Sequence, residues 1–257
     1  MKNQAMKSRY WVPMVGHAFR AIETIADADK ELSLQEISDR ARITKSSTFR
    51  ILFTLEALGY VSKNSETGKY QLGLKVLQSA QKVRASLGIL QAARPLMERL
   101  QRKFGETVNL AVLQNDQIVY LEIIEGSHAF RMTGDVGAHV PLHASAIGKA
   151  LGAFLPDGDL KALLDNEPLR RLTPNTITSR GELLKSLVRV RQQGYALDNE
   201  EVDLGASCVA VPIFTNGSHP THAMSLSGPT PRMKTQQKAI IAELLKVSRE
   251  VSNQIQI

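Results

Sequence analysis

Residues 32–73 read LSLQEISDRARITKSSTFRILFTLEALGYVSKNSETGKYQLG, and this stretch decides the fold of the first part of the chain. Ser33 and Glu36 have the spacing of a capping box, so they predict the start of a helix that runs to Ala41. Thr44 is a candidate N-cap for a second helix. Because only two residues separate Ala41 from Thr44, the connection between the two helices is predicted to be a tight turn.

The second predicted helix covers residues 45–58 and ends at Gly59, where a left-handed cap favours glycine. Two short extended runs follow at 60–63 and 69–72, and the NSETG segment between them has the chemistry of a hairpin turn. Helix, tight turn, helix and hairpin together predict a winged helix-turn-helix.

The two faces of the second helix differ in chemistry. One face is an apolar stripe at helical spacing, formed by Thr48, Ile51, Leu52, Leu55 and Leu58. The other is basic and rich in hydroxyl groups, since residues 42–50 include three basic side chains and no acidic one. Phosphates can take the charge and base edges the short polar groups, so this helix is predicted to enter the major groove of DNA. The alternative is a solvated basic face on an ordinary helical hairpin.

The candidate DNA contacts lie just before this helix, on it and on the hairpin. They are Arg42, Lys45, Ser46, Ser47, Phe49, Arg50, Lys63 and Lys69. The net charge of +7 also favours an anionic partner such as double-stranded operator DNA.

Composition restricts the class of protein. Cys208 is the single cysteine, which excludes an intramolecular disulfide. No apolar run reaches the roughly 18 residues that a membrane span needs. The N-terminus lacks the apolar core of a signal peptide. A cytoplasmic protein with no membrane partner is therefore expected.

The chain is expected to divide into two domains joined by a helix. A winged helix-turn-helix domain covers residues 1–73, with a flexible arm at 1–13 and a further helix at 15–28 that completes a three-helix core. Residues 74–87 predict an amphipathic linker helix, because this segment finds no packing partner in the small domain. A larger domain follows at 88–257.

The larger domain has an α+β pattern. Neighbouring strands flanked by helices predict one central, mainly antiparallel sheet of about six strands. Strands are predicted at 108–113, 117–124, 130–132, 195–198, 208–214 and 222–227. Helices are predicted at 89–104, 144–155, 160–165, 181–193 and 236–255.

Several separated motifs resemble those of the IclR family of bacterial transcriptional regulators, in the order in which that family has them. The motifs are ITKSSTFRIL at 43–52, LGYV at 58–61, PLHASAIGKA at 141–150, GYALDNEE at 194–201, GASCVAVPI at 205–213 and SLSGP at 225–229. The resemblance covers nearly the whole chain. One departure is Phe49 and Phe53 on the exposed helix face, where polar residues are commoner, and this leaves the operator sequence open.

The resemblance implies an N-terminal winged helix, a linker helix and a C-terminal GAF-like domain that binds an effector. It also implies homodimers, often paired into tetramers. The family's ligand-contacting positions map onto the backbone of Ala146 and Ile147 and onto Asp198, Cys208, Ser225 and Ser227.

Short polar side chains in the larger domain could hold a small carboxylate. Ser225 and Ser227 are two apart on a predicted strand, so their hydroxyls share a face. Ser145 and Ala146 lie at a predicted helix start, whose free N–H groups suit an anion. Asp198 would repel a carboxylate and is expected to accept a hydrogen bond from a ligand hydroxyl. The serines could instead lie at the surface, and Cys208 could be a small buried apolar residue. Residues outside the motifs that are expected to set the size and polarity of the pocket are Phe130, Met132, Leu142 and Leu204.

The predicted function is an effector-responsive, DNA-binding transcriptional regulator that senses a small organic acid, a repressor in preference to an activator. No cofactor or metal is expected, since the histidines form no compact metal motif. One alternative is a cysteine-dependent, hydrolase-like enzyme that uses Cys208 with Asp198 and either His143 or His222, although no nucleophile signature supports it. The other alternative is a ligand-free dimeric DNA-binding scaffold.

Overall fold

The computed structural model describes residues 10–114, 117–166, 168–215 and 219–255. These residues form two compact units, one that ends at Ser86 and one that begins at Leu87. The elements of the first unit are helices α1 (Pro13–Ala26), α2 (Leu34–Ala41) and α3 (Lys45–Ala57), strands β1 (Val61–Lys63) and β2 (Tyr70–Leu72), and helix α4 (Leu74–Ser86).

Local capping explains where the helices of the first unit begin. The Ser33 hydroxyl accepts a hydrogen bond from the Glu36 N–H at 3.3 Å, and the Glu36 carboxylate accepts one from the Ser33 N–H at 2.8 Å. The predicted capping box of α2 is therefore confirmed. The Thr44 hydroxyl caps α3 by accepting from the Ser47 N–H at 3.4 Å. Gly59 follows α3 with a φ of +81°, as the predicted left-handed cap requires.

The small core of the first unit lies between α1, α2, α3 and the hairpin. On α3, the predicted stripe is buried at Thr48, Ile51, Leu52 and Leu55. Leu58, which was predicted to belong to that stripe, is 59% exposed: its backbone is still helical, with φ of −85° and ψ of −8°, but as the C-cap it lies at the end of the helix, beyond the buried core. On α1, Ala21 and Ile25 face this core.

Two segments bear on the predicted boundaries of the first unit. Residues 1–9 of the predicted arm lie outside the described residues, and α1 already begins at Pro13. Helix α4 coincides with most of the predicted linker helix, and none of its residues, all of which are described, is buried.

The second unit is built on a five-stranded antiparallel sheet with the strand order β4-β3-β7-β6-β5. Its strands are β3 (Thr107–Gln114), β4 (Gln117–Ile124), β5 (Ala196–Asn199), β6 (Ala206–Ile213) and β7 (His222–Pro229). Its helices are α5 (Gly88–Phe104), α6 (Ala146–Gly152), α7 (Asp157–Asn166), α8 (Arg180–Gln193) and α9 (Thr230–Ile255). The predicted α+β class, with a winged helix-turn-helix before a mainly antiparallel sheet flanked by helices, is confirmed.

Each face of the sheet has its own core, because side chains alternate along a strand. On one face, Val108 and Leu110 of β3 pack in a cluster with α5 and α9. On the other face, Ala111 packs in a second cluster with α6, α7 and α8. Asn109 lies between Val108 and Leu110 and therefore points to the second face.

The predicted strand at 130–132 is wrong, and the described residues form a sheet of five strands instead of about six. Residues 125–139, which we call the strap, leave β4 as an irregular segment. Strand pairing fails here because side chains bind the strap carbonyls: the Thr107 hydroxyl donates to Met132 O at 2.5 Å. The predicted helix at 144–155 is shorter, because Ser145 is its N-cap and it ends at Gly152.

Candidate functional site

The basic face of α3 is open to solvent. Lys45, Ser46, Phe49 and Arg50 are exposed, whereas Ser47 is half-buried and its hydroxyl contacts the capping Thr44. Phe49 and Phe53 are 54% and 66% exposed, and their stacked rings have centroids 6.5 Å apart. The helix thus presents both cations and an aromatic pair on the side away from the core.

The turn before α3 and the hairpin after it supply the other candidate DNA contacts. Arg42 is exposed and takes a left-handed conformation, with φ of 54°, that ends α2 and allows the tight turn. Lys63 is exposed, and its ammonium group lies 5.5 Å from the centre of the Tyr70 ring. Lys69 is half-buried. The turn of the hairpin is fixed by Asn64, whose side-chain amide donates to the Glu31 carboxylate at 3.0 Å.

The second unit contains a cavity of about 200 Å³ on the face of the sheet that carries α6. All seven predicted effector-binding residues line it: Ser145, Ala146, Ile147, Asp198, Cys208, Ser225 and Ser227. The rest of the wall comes from β3, β4, the strap, the segment between the strap and α6, the loop after β5 and the start of β6. These residues are Asn109, Tyr120, Met132, Thr133, Gly134, His139, Val140, Pro141, Val202, Asp203 and Ala206.

Asn109 organises the two serines on the sheet side of the cavity. Its amide nitrogen lies 3.2 Å from the Ser225 hydroxyl and 3.0 Å from the Ser227 hydroxyl, and all three side chains are buried. Because the amide donates to both hydroxyl oxygens, each serine keeps its own proton to donate elsewhere. The arrangement therefore offers two hydroxyl donors to the cavity.

The start of α6 forms the opposite wall. The Ser145 hydroxyl accepts from the Gly148 N–H at 2.8 Å and donates to Pro141 O at 2.7 Å. The N–H groups of Ala146 and Ile147 precede the first intrahelical donor, the Lys149 N–H, which bonds to Ser145 O at 3.0 Å, so the helix itself does not satisfy them. A Cβ at Gly148 would lie 2.5 Å from Pro141 O, so glycine is required for this close approach.

Asp198 and Cys208 face each other on neighbouring strands β5 and β6. Burial raises the pKa of Asp198 to about 6, although the Glu201 N–H, 2.7 Å from its Oδ1, and the charge of Lys149 act in the opposite direction. Burial and the neighbouring Asp198 raise the pKa of the Cys208 thiol well above its usual value. Burial also raises the pKa of Tyr120 to about 12, with a contribution from Cys208 and Asp198.

Some cavity residues were not found from the sequence. Asn109 and Tyr120 were missed. The signal in the sequence for Asn109 was an asparagine within an otherwise apolar predicted strand. Of the four residues expected to set the size of the pocket, only Met132 lines it. Phe130 and Leu204 are exposed, and Leu142 belongs to the apolar core. These three predictions were wrong, because side-chain direction in irregular segments does not follow from spacing.

The geometry does not form a cysteine protease-like set. His143 and His222 do not line the cavity, and His143 Nε2 lies 2.9 Å from Arg170 O. A thiol with a raised pKa is poorly ionised and therefore a weak nucleophile. In the described ranges, no group of three or more His, Cys, Asp or Glu side chains could hold a metal ion. None of the described helices combines the length and apolar character that a membrane span requires.

Comparisons with known proteins agree with this architecture. The family model for the IclR helix-turn-helix domain matches residues 15–65, and the model for the bacterial transcriptional regulator IclR C-terminal domain matches residues 81–253. The Escherichia coli regulator XynR is 37% identical over 235 residues, which cover 91% of this chain and 93% of XynR. The Escherichia coli transcriptional repressor IclR is 31% identical over 244 residues, which cover 94% and 89% of the two chains.

A solved structure shares the fold at lower identity. An IclR homologue from Microbacterium hydrocarbonoxydans, crystallised with 4-hydroxybenzoate, superposes with a TM-score of 0.83 at 24% identity, covering 94% of this chain and 98% of that one. The two family models together, and each of the two Escherichia coli relatives, match most of this chain. Both relatives are transcriptional regulators. The chain belongs to the IclR family of DNA-binding transcriptional regulators.

Proposed function

We propose that this protein is an effector-responsive repressor that binds operator DNA through α3 and the hairpin, and that binds a small organic acid in the cavity of the second unit. The DNA contacts are the eight residues named above, with Arg50 and Lys45 on phosphates or base edges. The effector contacts are the seven predicted residues together with Asn109. A repressor is preferred because the relative IclR bears that name.

The hydrogen bonds of Asn109 carry the proposal for the effector. They orient the hydroxyls of Ser225 and Ser227 as donors, and the N–H groups of Ala146 and Ile147 add donors from the opposite wall. A carboxylate accepts from several donors at once, and such charge-assisted bonds are the stronger kind. Among the residues that line the described cavity there is no lysine or arginine, so donors of this kind would hold the anion.

Asp198 sets the chemistry of the other end of the ligand. A carboxylate with a raised pKa in a buried site favours a partner that donates a hydrogen bond, and it disfavours a second anion. The effector is therefore a bifunctional molecule with a carboxylate at one end and a hydroxyl or hydrated carbonyl nearby. A hydroxy acid, a keto acid hydrate or an aromatic hydroxy acid has this chemistry, and the cavity of about 200 Å³ restricts it to a small molecule.

The test begins with a thermal-shift screen of small organic acids. A regulator is stabilised by its effector without consuming it, an enzyme consumes it, and a scaffold gives no shift. Operator DNA is then selected from a random pool, and its affinity is measured with and without each hit. For a repressor, the effector lowers operator affinity.

Ser227→Ala tests the site itself. Removing this hydroxyl costs about 0.5–1.5 kcal/mol of effector affinity for a neutral hydrogen bond, or about 1.5–3 kcal/mol if it binds the carboxylate. Ser207→Ala is the matched control, because Ser207 is buried in the same sheet but bonds to Thr230 outside the cavity. Operator affinity without effector stays unchanged in both variants. If Ser227→Ala responds at the wild-type effector concentration, the cavity is not the effector site.

The proposal includes a homodimer that pairs into a dimer of dimers in the cytoplasm. A two-fold dimer places two recognition helices on two half-sites of a palindromic operator. Light scattering of the free protein and of its operator complex measures the number of chains directly. A complex with a single chain per operator would contradict this part of the proposal.

A further inference from the structure

The strap covers part of the cavity but has little backbone support. Met132, Thr133 and Gly134 of the strap line the cavity. The strap is anchored on either side of them, where the Ser127 N–H donates to Gly105 O at 3.0 Å and the Gly137 N–H donates to Tyr120 O at 2.8 Å. Between these anchors, the described residues show no backbone-to-backbone hydrogen bond from residues 128–134 to the sheet.

Two side chains from outside the strap hold this middle part instead. The Thr107 hydroxyl donates to Met132 O at 2.5 Å and also accepts from the Gly126 N–H at 3.0 Å. The Arg232 guanidinium donates to Phe130 O at 2.8 Å. Both acceptors are carbonyl groups of the strap, so these bonds fix its path directly and do not depend on which strap side chains are present.

Arg232 is itself fixed by Glu106. The guanidinium Nε and Nη2 lie 2.5 and 2.9 Å from the two carboxylate oxygens, and the Glu106 side chain is fully buried. Gly228 leaves room for this carboxylate, because a Cβ there would lie 2.5 Å from Oε2. A planar guanidinium can make the paired bonds to a carboxylate and still donate to a third acceptor, which a lysine ammonium cannot do in the same geometry.

Arg232 also joins the two faces of the second unit. It is the third residue of α9, the helix that packs with α5 on the face of the sheet opposite the cavity. The strap lies at the cavity, on the other face. One side chain therefore links the cover of the cavity to the helix behind the sheet.

We propose that Arg232, held by Glu106, is a positioning residue that keeps the strap closed over the cavity and makes closure depend on the position of α9. Only the regulatory consequence of this inference rests on the proposed function, because closure affects signalling only if the cavity binds the effector. Closure itself is a property of the free protein and can be measured without any effector.

Cys208 provides the probe. It lines the cavity and is the only cysteine of the chain. Its raised pKa slows alkylation by iodoacetamide in every variant, so the ratio of a variant's rate to the wild-type rate, measured in the intact proteins at one fixed pH, reports the change in how often the cavity opens. Arg232→Gln is expected to raise this rate roughly tenfold, because opening no longer breaks a charge-assisted bond. Arg232→Lys keeps the positive charge but cannot make the paired guanidinium bonds, so it is expected to give an intermediate alkylation rate.

The matched control is Arg131→Gln. Arg131 lies in the strap, but its side-chain bonds go to Glu125 and His128 O, which are also in the strap. The alkylation rate of Cys208 in Arg131→Gln is expected to stay at the wild-type value. Because Arg232→Gln removes the arginine partner of the buried Glu106 carboxylate and leaves only His128 Nε2, 4.0 Å from Oε1, near it, the double variant Glu106→Gln/Arg232→Gln repeats the measurement without that charge. Circular dichroism verifies the fold.

A wild-type alkylation rate in folded Arg232→Gln or in the double variant overturns the proposal, as does an equal increase in Arg131→Gln. A rate increase confined to the variants that lose the link supports it. If no organic acid binds the wild-type protein, the proposed function fails, but the comparison of alkylation rates still decides the role of Arg232.

Discussion

Lys149 and Glu201 form a buried ion pair beside the cavity, with 2.5 Å between Nζ and Oε1. The lysine is on α6, one turn after the residues that line the cavity, and its side chain is only 2% exposed. The hydroxyl of Thr176 donates to Glu201 O at 2.7 Å, so the backbone at the glutamate is fixed as well. The pair therefore ties the loop after β5 to the helix that forms one wall of the cavity.

Lys149→Met is expected to lower the free energy of unfolding of the second unit by about 3–5 kcal/mol, since it leaves the Glu201 carboxylate buried without its cation. Urea denaturation followed by circular dichroism measures the loss. Lys185→Met removes an exposed lysine from α8 in the same unit and serves as the control. Equal stabilities of the two variants would contradict this account of the pair.

The sequence was sufficient wherever local chemistry decides the structure. The capping box at Ser33, the cap at Thr44 and the left-handed position of Gly59 all follow from a few neighbouring residues. The same holds for Ser225 and Ser227, because alternation along one strand is enough to place both hydroxyls on one face.

Features that depend on distant residues could not be predicted. Lys149 and Glu201 are 52 positions apart, and nothing near either residue indicates a buried pair. A strand was predicted at 130–132, but in the structure the Thr107 and Arg232 side chains bond to carbonyl groups of this part of the strap. Leu58 shows the same limit at a helix end, where helical spacing alone does not say whether other residues cover the side chain.

Arg50→Ala is expected to weaken operator binding and to reduce the salt dependence of the association constant by about one counterion, if the guanidinium contacts a phosphate. The residue is exposed on the face of α3 opposite the core. Affinities at several salt concentrations, measured on operator DNA selected from a random pool, give the slope. Arg189→Ala, which removes an exposed arginine from the second unit, should leave both the affinity and the slope unchanged.

Leu55→Ala is expected to destabilise the first unit by about 2–5 kcal/mol, because it opens a cavity in a small core where Leu55 is 7% exposed. Leu58→Ala is the matched control, because Leu58 is the C-cap of the same helix and is largely exposed. Thermal unfolding should show a lowered transition for the first unit and an unchanged one for the second. A single transition at the wild-type temperature in Leu55→Ala would count against two independently folding units.

Asp198 makes the stability of the second unit depend on pH in a defined direction. Its pKa is raised to about 6 in the folded protein, mainly by burial, from 3.8 for the free side chain. Between these two values the folded state keeps a proton that the unfolded state has lost. The free energy of unfolding therefore decreases as pH rises from about 4 to about 6, by roughly 3 kcal/mol for this group, and the contribution stays constant above that range.

Asp198→Asn isolates this contribution, because an asparagine oxygen can still accept the Glu201 N–H bond but cannot ionise. We expect the variant to gain stability relative to wild type as pH rises through this range, with the difference levelling off above about pH 6.5. Urea denaturation of both proteins at a series of pH values measures the difference. If the difference in the free energy of unfolding between Asp198→Asn and wild type stays constant across the range, or changes in favour of wild type, ionisation of the Asp198 carboxylate does not destabilise the folded state. Loss of the gain in the presence of a bound effector with a hydroxyl group would indicate that the ligand donates a hydrogen bond to Asp198, since such a bond stabilises the ionised form.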